Sequence, residues 1–151
     1  MRPNPVSQTL ERLAEFLSVT QDPWWILGSM AVFLKGYDPG RIGDIDVLVS
    51  EGDAARLMSH HGLANDKDGG TSRYRSNYVL QPILGDLPID LLAGYEIFYG
   101  ETWRPIEPKS HQQVTYDGIT FYVLADEELI ALFEMLGRAK DLDRIRAMQT
   151  R

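Results

Sequence analysis

Apolar residues recur along this chain with two periods. Val6, Leu10, Leu13, Phe16 and Leu17 follow helical spacing and predict an amphipathic helix over residues 5 to 20, stopped near "TQDP". "WWIL" reads as a short buried strand, and "GSMAVFLKGY" as a turn entering a helix. After the breaker-rich loop "DPGRIG", the β-branched run "DIDVLVS" predicts a strand, and residues 53 to 61 predict a short helix. "TSRYRSNYVLQPIL" alternates as one strand, "LPIDLLAG" as another, and "HQQVTYDGITFYVLA" as a hairpin turning at Asp117 and Gly118. Residues 95 to 109 mix aromatics, prolines and charges and give no clear pattern. Two helical patterns, "DEELIALFEMLG" and "AKDLDRIRAMQ", follow. The expected architecture is α/β, of the α+β kind: a mixed β-sheet flanked by helices with C-terminal helices, as one domain over residues 1 to 151.

Composition narrows the chemistry. The chain has no cysteine, which excludes disulfides, thiol nucleophiles and sulfur-bound zinc. The longest nearly apolar stretch, residues 24 to 34, is too short to span a bilayer, and the N-terminal "MRPNPVSQTLERL" does not have the form of a secretory signal. A cytoplasmic protein with no membrane partner is expected. The net charge of −7 opposes long-range attraction to a polyphosphate backbone but not local binding of a metal-chelated nucleotide. Arg73, Arg75, Arg104 and Lys109 gather in the middle of the chain, as a solvated surface or, if they share one face, as an anion-binding patch.

In "GDIDVLVS" two aspartates stand one residue apart at the mouth of an apolar run. On a strand, positions two apart share a face, so Asp44 and Asp46 project side by side while Ile45 and Val47 turn to the core. Two adjacent carboxylates repel, and a cation between them relieves the repulsion. Hard divalent ions such as Mg²⁺ take carboxylate and phosphate oxygens in this way. The pair also fits the polar rim of a half-buried strand. Upstream, Gly28 and Ser29 lie where strand passes to helix, a place where free backbone N–H groups favour an anion and Ser29 can cap the helix or meet a phosphate. A plain capped helix fits them equally. Downstream, Asp90 interrupts the apolar "LPIDLLAG", where a charge must be paired, hydrogen-bonded or metal-bound.

The segments "LGS", "DIDVLV" and "PIDLL", in that order, resemble the pattern of the polymerase-beta-like nucleotidyltransferase superfamily in its minimal bacterial form. The resemblance implies that Asp44, Asp46 and Asp90 are metal ligands and catalytic groups for two Mg²⁺ ions, with Mn²⁺ as a substitute. Gly28 and Ser29 would hold the triphosphate of an NTP substrate, and Asp90 would be the base for an acceptor hydroxyl. The implied reaction is transfer of a nucleoside monophosphate with release of pyrophosphate. "GRAKDLDRIRAM" is similar to the last helix of small bacterial nucleotidyltransferases, including toxin-like enzymes of abortive-infection systems. By that likeness Lys140 would reach the triphosphate and Asp141 would orient it or contact the acceptor. A plain helix N-terminal turn with an ion-pair network to Arg144 fits the same residues.

Other Asp-x-Asp enzymes fit less well. Haloacid-dehalogenase-like phosphatases and many metal-dependent glycosyltransferases carry the acids at the end of an apolar strand, whereas here the apolar run follows them. An EF-hand loop fails at Leu48 and Val49, and no Walker-type "GxxxxGK" is present. The rival reading is a catalytically inactive binding module of the same fold, such as a toxin–antitoxin partner. The acceptor could be a small molecule, a protein side chain or a tRNA end, and a homodimer or a protein partner is compatible with so small a chain. His60, His61 and His111 have no metal-ligand spacing, Trp24 and Trp25 read as core, and Tyr74, Tyr78 and Tyr95 are candidates to line an acceptor pocket.

Overall fold

The computed structural model describes residues 4 to 150. Helix α1, Pro5–Phe16, starts with Asn4 as its cap, whose Oδ1 accepts the Val6 N–H at 2.9 Å, and Pro5 in the first turn where no N–H is needed. It buries Leu10, Leu13 and Phe16, and the expected helix to residue 20 closes as a 3₁₀ turn over Leu17–Val19. Strand β1, Trp25–Leu27, runs directly into α2, Gly28–Leu34. Strand β2, Ile45–Leu48, leads to α3, Glu51–His61, capped by Ser50 and ended by Gly62 in the left-handed region.

Next come β3, Tyr74–Arg75; β4, Tyr78–Leu80; β5, Ile89–Ala93; β6, Glu96–Tyr99; β7, Thr102–Pro105; β8, Gln112–Tyr116; and β9, Ile119–Val123. Helices α4, Asp126–Leu136, and α5, Ala139–Gln149, complete the order. Six strands form a mixed sheet in the order β4-β5-β2-β1-β9-β8, with β2 parallel to β5 and β1 parallel to β9. A second sheet has the order β3-β6-β7. The mixed α+β architecture is thus the one the pattern predicts. Alternation on β5 sends Ile89, Leu91 and Ala93 into the core and leaves Asp90 on the other face. Among the described residues, no helix is long and apolar enough to cross a membrane.

Two segments depart from expectation. "TSRYRSNYVLQPIL" is not one strand: Tyr74 pairs with Ile97 in the small sheet, while Tyr78 pairs with Ala93 in the large one. The switch occurs where Asn77 meets Gly94, which has φ +63° and where a Cβ would lie 2.5 Å from the Asn77 side chain. Both segments, β3–β4 and β5–β6, change sheet at that corner, and only glycine admits the approach. The unreadable stretch after Tyr95 forms the β6–β7 hairpin, whose turn residues Gly100 and Glu101 both have positive φ. A glutamate there is uncommon, so the sequence carries no turn signal. The β8–β9 hairpin does turn at Asp117 and Gly118, at φ 54° and 80°.

Candidate active site

The site is built on three adjacent strands of the large sheet. Leu27, the last residue of β1, stands opposite Asp46 of β2, and Asp46 is in register with Asp90 of the parallel strand β5. Asp44 lies two residues ahead of Asp46, just before β2, and lines the same cavity. Each of the three half-buried carboxylates offers an oxygen within 4.8 Å of the others. Opposite residues on neighbouring strands are close enough for this, so pairing register alone converges Asp46 and Asp90.

The β1–α2 turn closes over this group. Gly28 has φ +65°, and a Cβ there would stand 3.3 Å from Asp46 Oδ2. The residue before it, Leu27, takes the cap position without a side-chain hydrogen bond, so Ser29 is not the cap but a buried member of the first turn. The uncapped N–H groups of α2 therefore lie beside the carboxylates.

Helix α5 supplies the positive side. Lys140 and Arg144, one turn apart, line the cavity with Asp44. Of the two readings open for Asp141, the structure shows the helix N-terminal turn with an ion pair to Arg144. Asp141 is fully buried and outside the cavity lining, with Oδ2 accepting the Arg138 backbone N–H at 3.0 Å and its Nε at 2.6 Å. Its Oδ1 accepts Arg138 Nη2 at 3.1 Å and lies 3.5 Å from Arg144 Nη1. So occupied, the carboxylate holds the two arginines that line the cavity with the acids.

The charges are unequal in strength. Burial, then Asp44, then Asp90, push Asp46 up to about 7. Burial and Asp90 also raise Asp44, opposed by Lys140, Arg144 and Arg138. Burial lowers the Arg144 pKa, whereas the hydrogen bond to Asp141 raises that of Arg138. Three carboxylates whose oxygens lie within 4.8 Å of one another form a donor set suited to a hard divalent cation. Gln81 Nε2 donates to Asp90 Oδ1 at 2.8 Å and fixes that carboxylate's rotation.

A cavity of about 300 Å³ opens over the acids. Gly28 and Ser29 line it at one end, Tyr74 and Arg75 at another, and Tyr95, Leu132, Phe133 and Leu136 form an apolar wall. Tyr78 does not line it. A second cavity, about 710 Å³, lies between residues 38 to 43 and α5, and it shares Asp44, Lys140 and Arg144.

Of the four mid-chain cations, only Arg75 is among the residues that line the cavity. Arg73 Nη1 donates to the Leu136 carbonyl, and Arg104 Nε donates to the Tyr99 carbonyl. Trp24 is core, and Trp25 donates its ring N–H to the Ser110 carbonyl. His61 stacks on Phe16 and His111 on Tyr122, and none of the histidines lines either cavity at the acids. Sequence reading passed over Gln81, Arg138 and the site role of Arg144. Only Arg144 left a signal, its one-turn spacing from Lys140.

The chain matches no protein-family model and no curated protein sequence. Solved structures do match. A protein of Thermotoga maritima described as a nucleotidyltransferase superposes with a TM-score of 0.75 at 20% identity, over 97% of this chain and 93% of that one. The fold is that of a nucleotidyltransferase. The antibiotic-resistance factor ANT(2″)-Ia superposes with a TM-score of 0.58 at 14% identity, over 95% of this chain and 83% of its own. An antigenic nucleotidyltransferase-like protein of Paracoccidioides brasiliensis gives 0.55 at 13% identity, over 95% and 74%. Nucleotidyltransferase-fold neighbours from such different sources agree with the mixed sheet and helix order described above.

Proposed function

We propose that this chain is a Mg²⁺-dependent nucleotidyltransferase that moves a nucleoside monophosphate from an NTP to a hydroxyl acceptor. The observation that carries the reading is the convergence of Asp44, Asp46 and Asp90 within 4.8 Å beside the Gly28 turn. Asp44 and Asp46 would hold two divalent ions, with Asp90 completing the ligand set. When bound, such ions would offset charge on the attacking and leaving oxygens of an in-line displacement. Gly28 and Ser29 would present backbone N–H groups to the triphosphate, and Lys140 and Arg144 would balance its charge.

In the reaction the acceptor oxygen bonds to the α-phosphorus, the bond from that phosphorus to the bridging oxygen breaks, and pyrophosphate departs. Asp90 takes the hydroxyl proton, with Gln81 holding its second oxygen. Tyr95, Leu132, Phe133 and Leu136 offer an apolar wall to a base and exclude water from the reacting group. The solved neighbour ANT(2″)-Ia in complex with adenylyl-2″-tobramycin makes a small-molecule acceptor a natural class to test here.

The test is calorimetry of each NTP with Mg²⁺ on wild type and on Asp44→Asn/Asp46→Asn, followed by pyrophosphate release with candidate acceptors. Binding by wild type that is lost in the double variant is expected. Absence of NTP binding by wild type would sink the enzyme reading and favour a binding module.

A further inference from the structure

We infer that the acceptor of this site is a small hydroxylated anion, a phosphate ester or a carboxylate, held by Lys67 and Arg75. The inference rests on the nucleotidyltransferase reading and adds the chemistry of its second substrate.

Strand order fixes which side of the cavity receives it. From one end to the other the strands run β1, β2, β5, β4. Gly28 and Ser29 follow β1, so the triphosphate belongs at that end, where α5 also packs against α2 and brings Lys140 and Arg144. Asp90, the proton acceptor, lies on β5, and an acceptor hydroxyl must approach it from the β4 side. The segment that walls this side is residues 67 to 76, just ahead of β4, and it contributes Lys67, Tyr74, Arg75 and Ser76.

That wall is cationic and ordered. Arg75 Nε donates to Glu96 at 2.8 Å, and its guanidinium lies 4.1 Å from the centre of the Trp103 ring, which fixes the plane. Among the described residues its Nη donors have no protein partner, and neither does Lys67 Nζ. Gly70, at φ +81°, presses the loop against Arg75, where a Cβ would be 2.7 Å from the Arg75 Cβ, so Lys67 and Arg75 are held on one wall. The sole carboxylate of that segment lining the cavity, Asp68, already accepts the Gly70 N–H at 2.9 Å. An acceptor rich in ammonium groups would meet like charges here, while a phosphate or carboxylate would meet two donors. The cavity volume of about 300 Å³ suits a small molecule, and the net charge of −7 opposes a long polyanion.

The experiment uses the full chain with Mg²⁺ and the NTP that binds it best. Pyrophosphate release is measured with matched sets: ribose and ribose 5-phosphate; glycerol, glycerol 3-phosphate and glycerate; glucose, glucose 6-phosphate and gluconate; then tobramycin and a short oligoribonucleotide. Binding of each to the complex with Mg²⁺ and a non-hydrolysable NTP analogue is measured in parallel. An anionic member is expected to bind or react at least about tenfold better than its neutral partner, the phosphate and carboxylate arms telling the two anions apart. Lys67→Gln/Arg75→Gln is expected to weaken that acceptor about tenfold and to leave NTP affinity within about twofold. Equal or better use of the neutral compounds, tobramycin or the oligoribonucleotide would overturn the inference. So would an equal loss of NTP affinity in the double variant, or no preference for an anion in either measurement. Failure of wild type to bind any NTP would instead bring down the parent reading, a separate observation made before any acceptor is added.

Discussion

Gly28 and Asp46 are pressed together across β1 and β2: a Cβ on Gly28 would stand 3.3 Å from Asp46 Oδ2, and Gly28 has φ +65°. Both features call for glycine, one through backbone conformation and one through space. Gly28→Ala is therefore expected to cost about 1 kcal/mol of stability through the left-handed backbone alone. It should also weaken Mg²⁺–NTP binding, because the crowded atom is a proposed metal ligand. Urea unfolding with and without Mg²⁺–NTP separates the two effects: ligand-induced stabilisation should shrink in the variant beyond its loss in the ligand-free protein. An unchanged ligand-induced shift would show that the turn is built for folding only.

Asp46 makes stability depend on pH. Its pKa is pushed up to about 7 from 3.8, so in the metal-free protein the native state keeps a proton that the unfolded chain releases over that interval. The unfolded state binds fewer protons there, and stability falls as pH rises from about 4 to about 7. Asp46→Asn removes the titration. In chelator it is expected to be more stable than wild type at about pH 8, by up to ~4 kcal/mol, with the difference closing towards about pH 4. Divalent metal should narrow the gap at high pH by favouring the ionised wild-type carboxylate. A pH-independent difference in urea midpoints would refute this account.

The legibility of the sequence followed the locality of each signal. The strand that carries Asp46 and follows Asp44, the Gly28 turn and the Asp117–Gly118 hairpin are set by residues within a few positions of one another, and each was predictable. Asp90 stood out because a charge interrupts an apolar strand, but its register with Asp46 is a long-range fact of strand pairing. Arg138 and Gln81 gave no signal, since a lone cation and a lone amide are ordinary in a sequence until the fold brings them to Asp141 and Asp90. Asp141 shows the converse. Motif likeness placed it at the substrate, whereas a helix-capping interaction with the residue three positions earlier decides its orientation.

Asp90 and Gln81 allow the proton-transfer assignment to be tested in two steps. Asp90→Asn keeps shape and hydrogen bonding but cannot take a proton, and is expected to slow pyrophosphate release about 10²- to 10⁴-fold. NTP affinity should change far less if Asp44 and Asp46 carry most of the metal binding. Gln81→Leu leaves Asp90 Oδ1 without its 2.8 Å donor. It should lower kcat by about tenfold while leaving the KM for NTP nearly constant, since one lost charge-assisted hydrogen bond is worth that much. Steady-state kinetics on both variants would check the order of effects, and a larger loss in Gln81→Leu than in Asp90→Asn would contradict it.

Asp141 is fully buried and is held by Arg138 and Arg144, which in turn line the cavity with Asp44, Asp46 and Asp90. Removing a buried partner leaves charge uncompensated, so Asp141→Ala is expected to lose about 3 kcal/mol in urea unfolding. Leu142→Ala, at a residue 44% exposed on the same helix, should change stability by less than about 0.5 kcal/mol and serves as the control. Asp141→Asn tests positioning more finely: it keeps an acceptor for the Arg138 N–H but gives up the ion pairs, so it should fold while its arginines lose their fixed direction. NTP affinity should then fall and become more sensitive to salt, because mobile surface cations are screened more readily than held ones. If Asp141→Asn binds NTP as wild type does at both low and high salt, the ion pairs of Asp141 do not position the arginines for NTP, and Asp141 serves only to start α5.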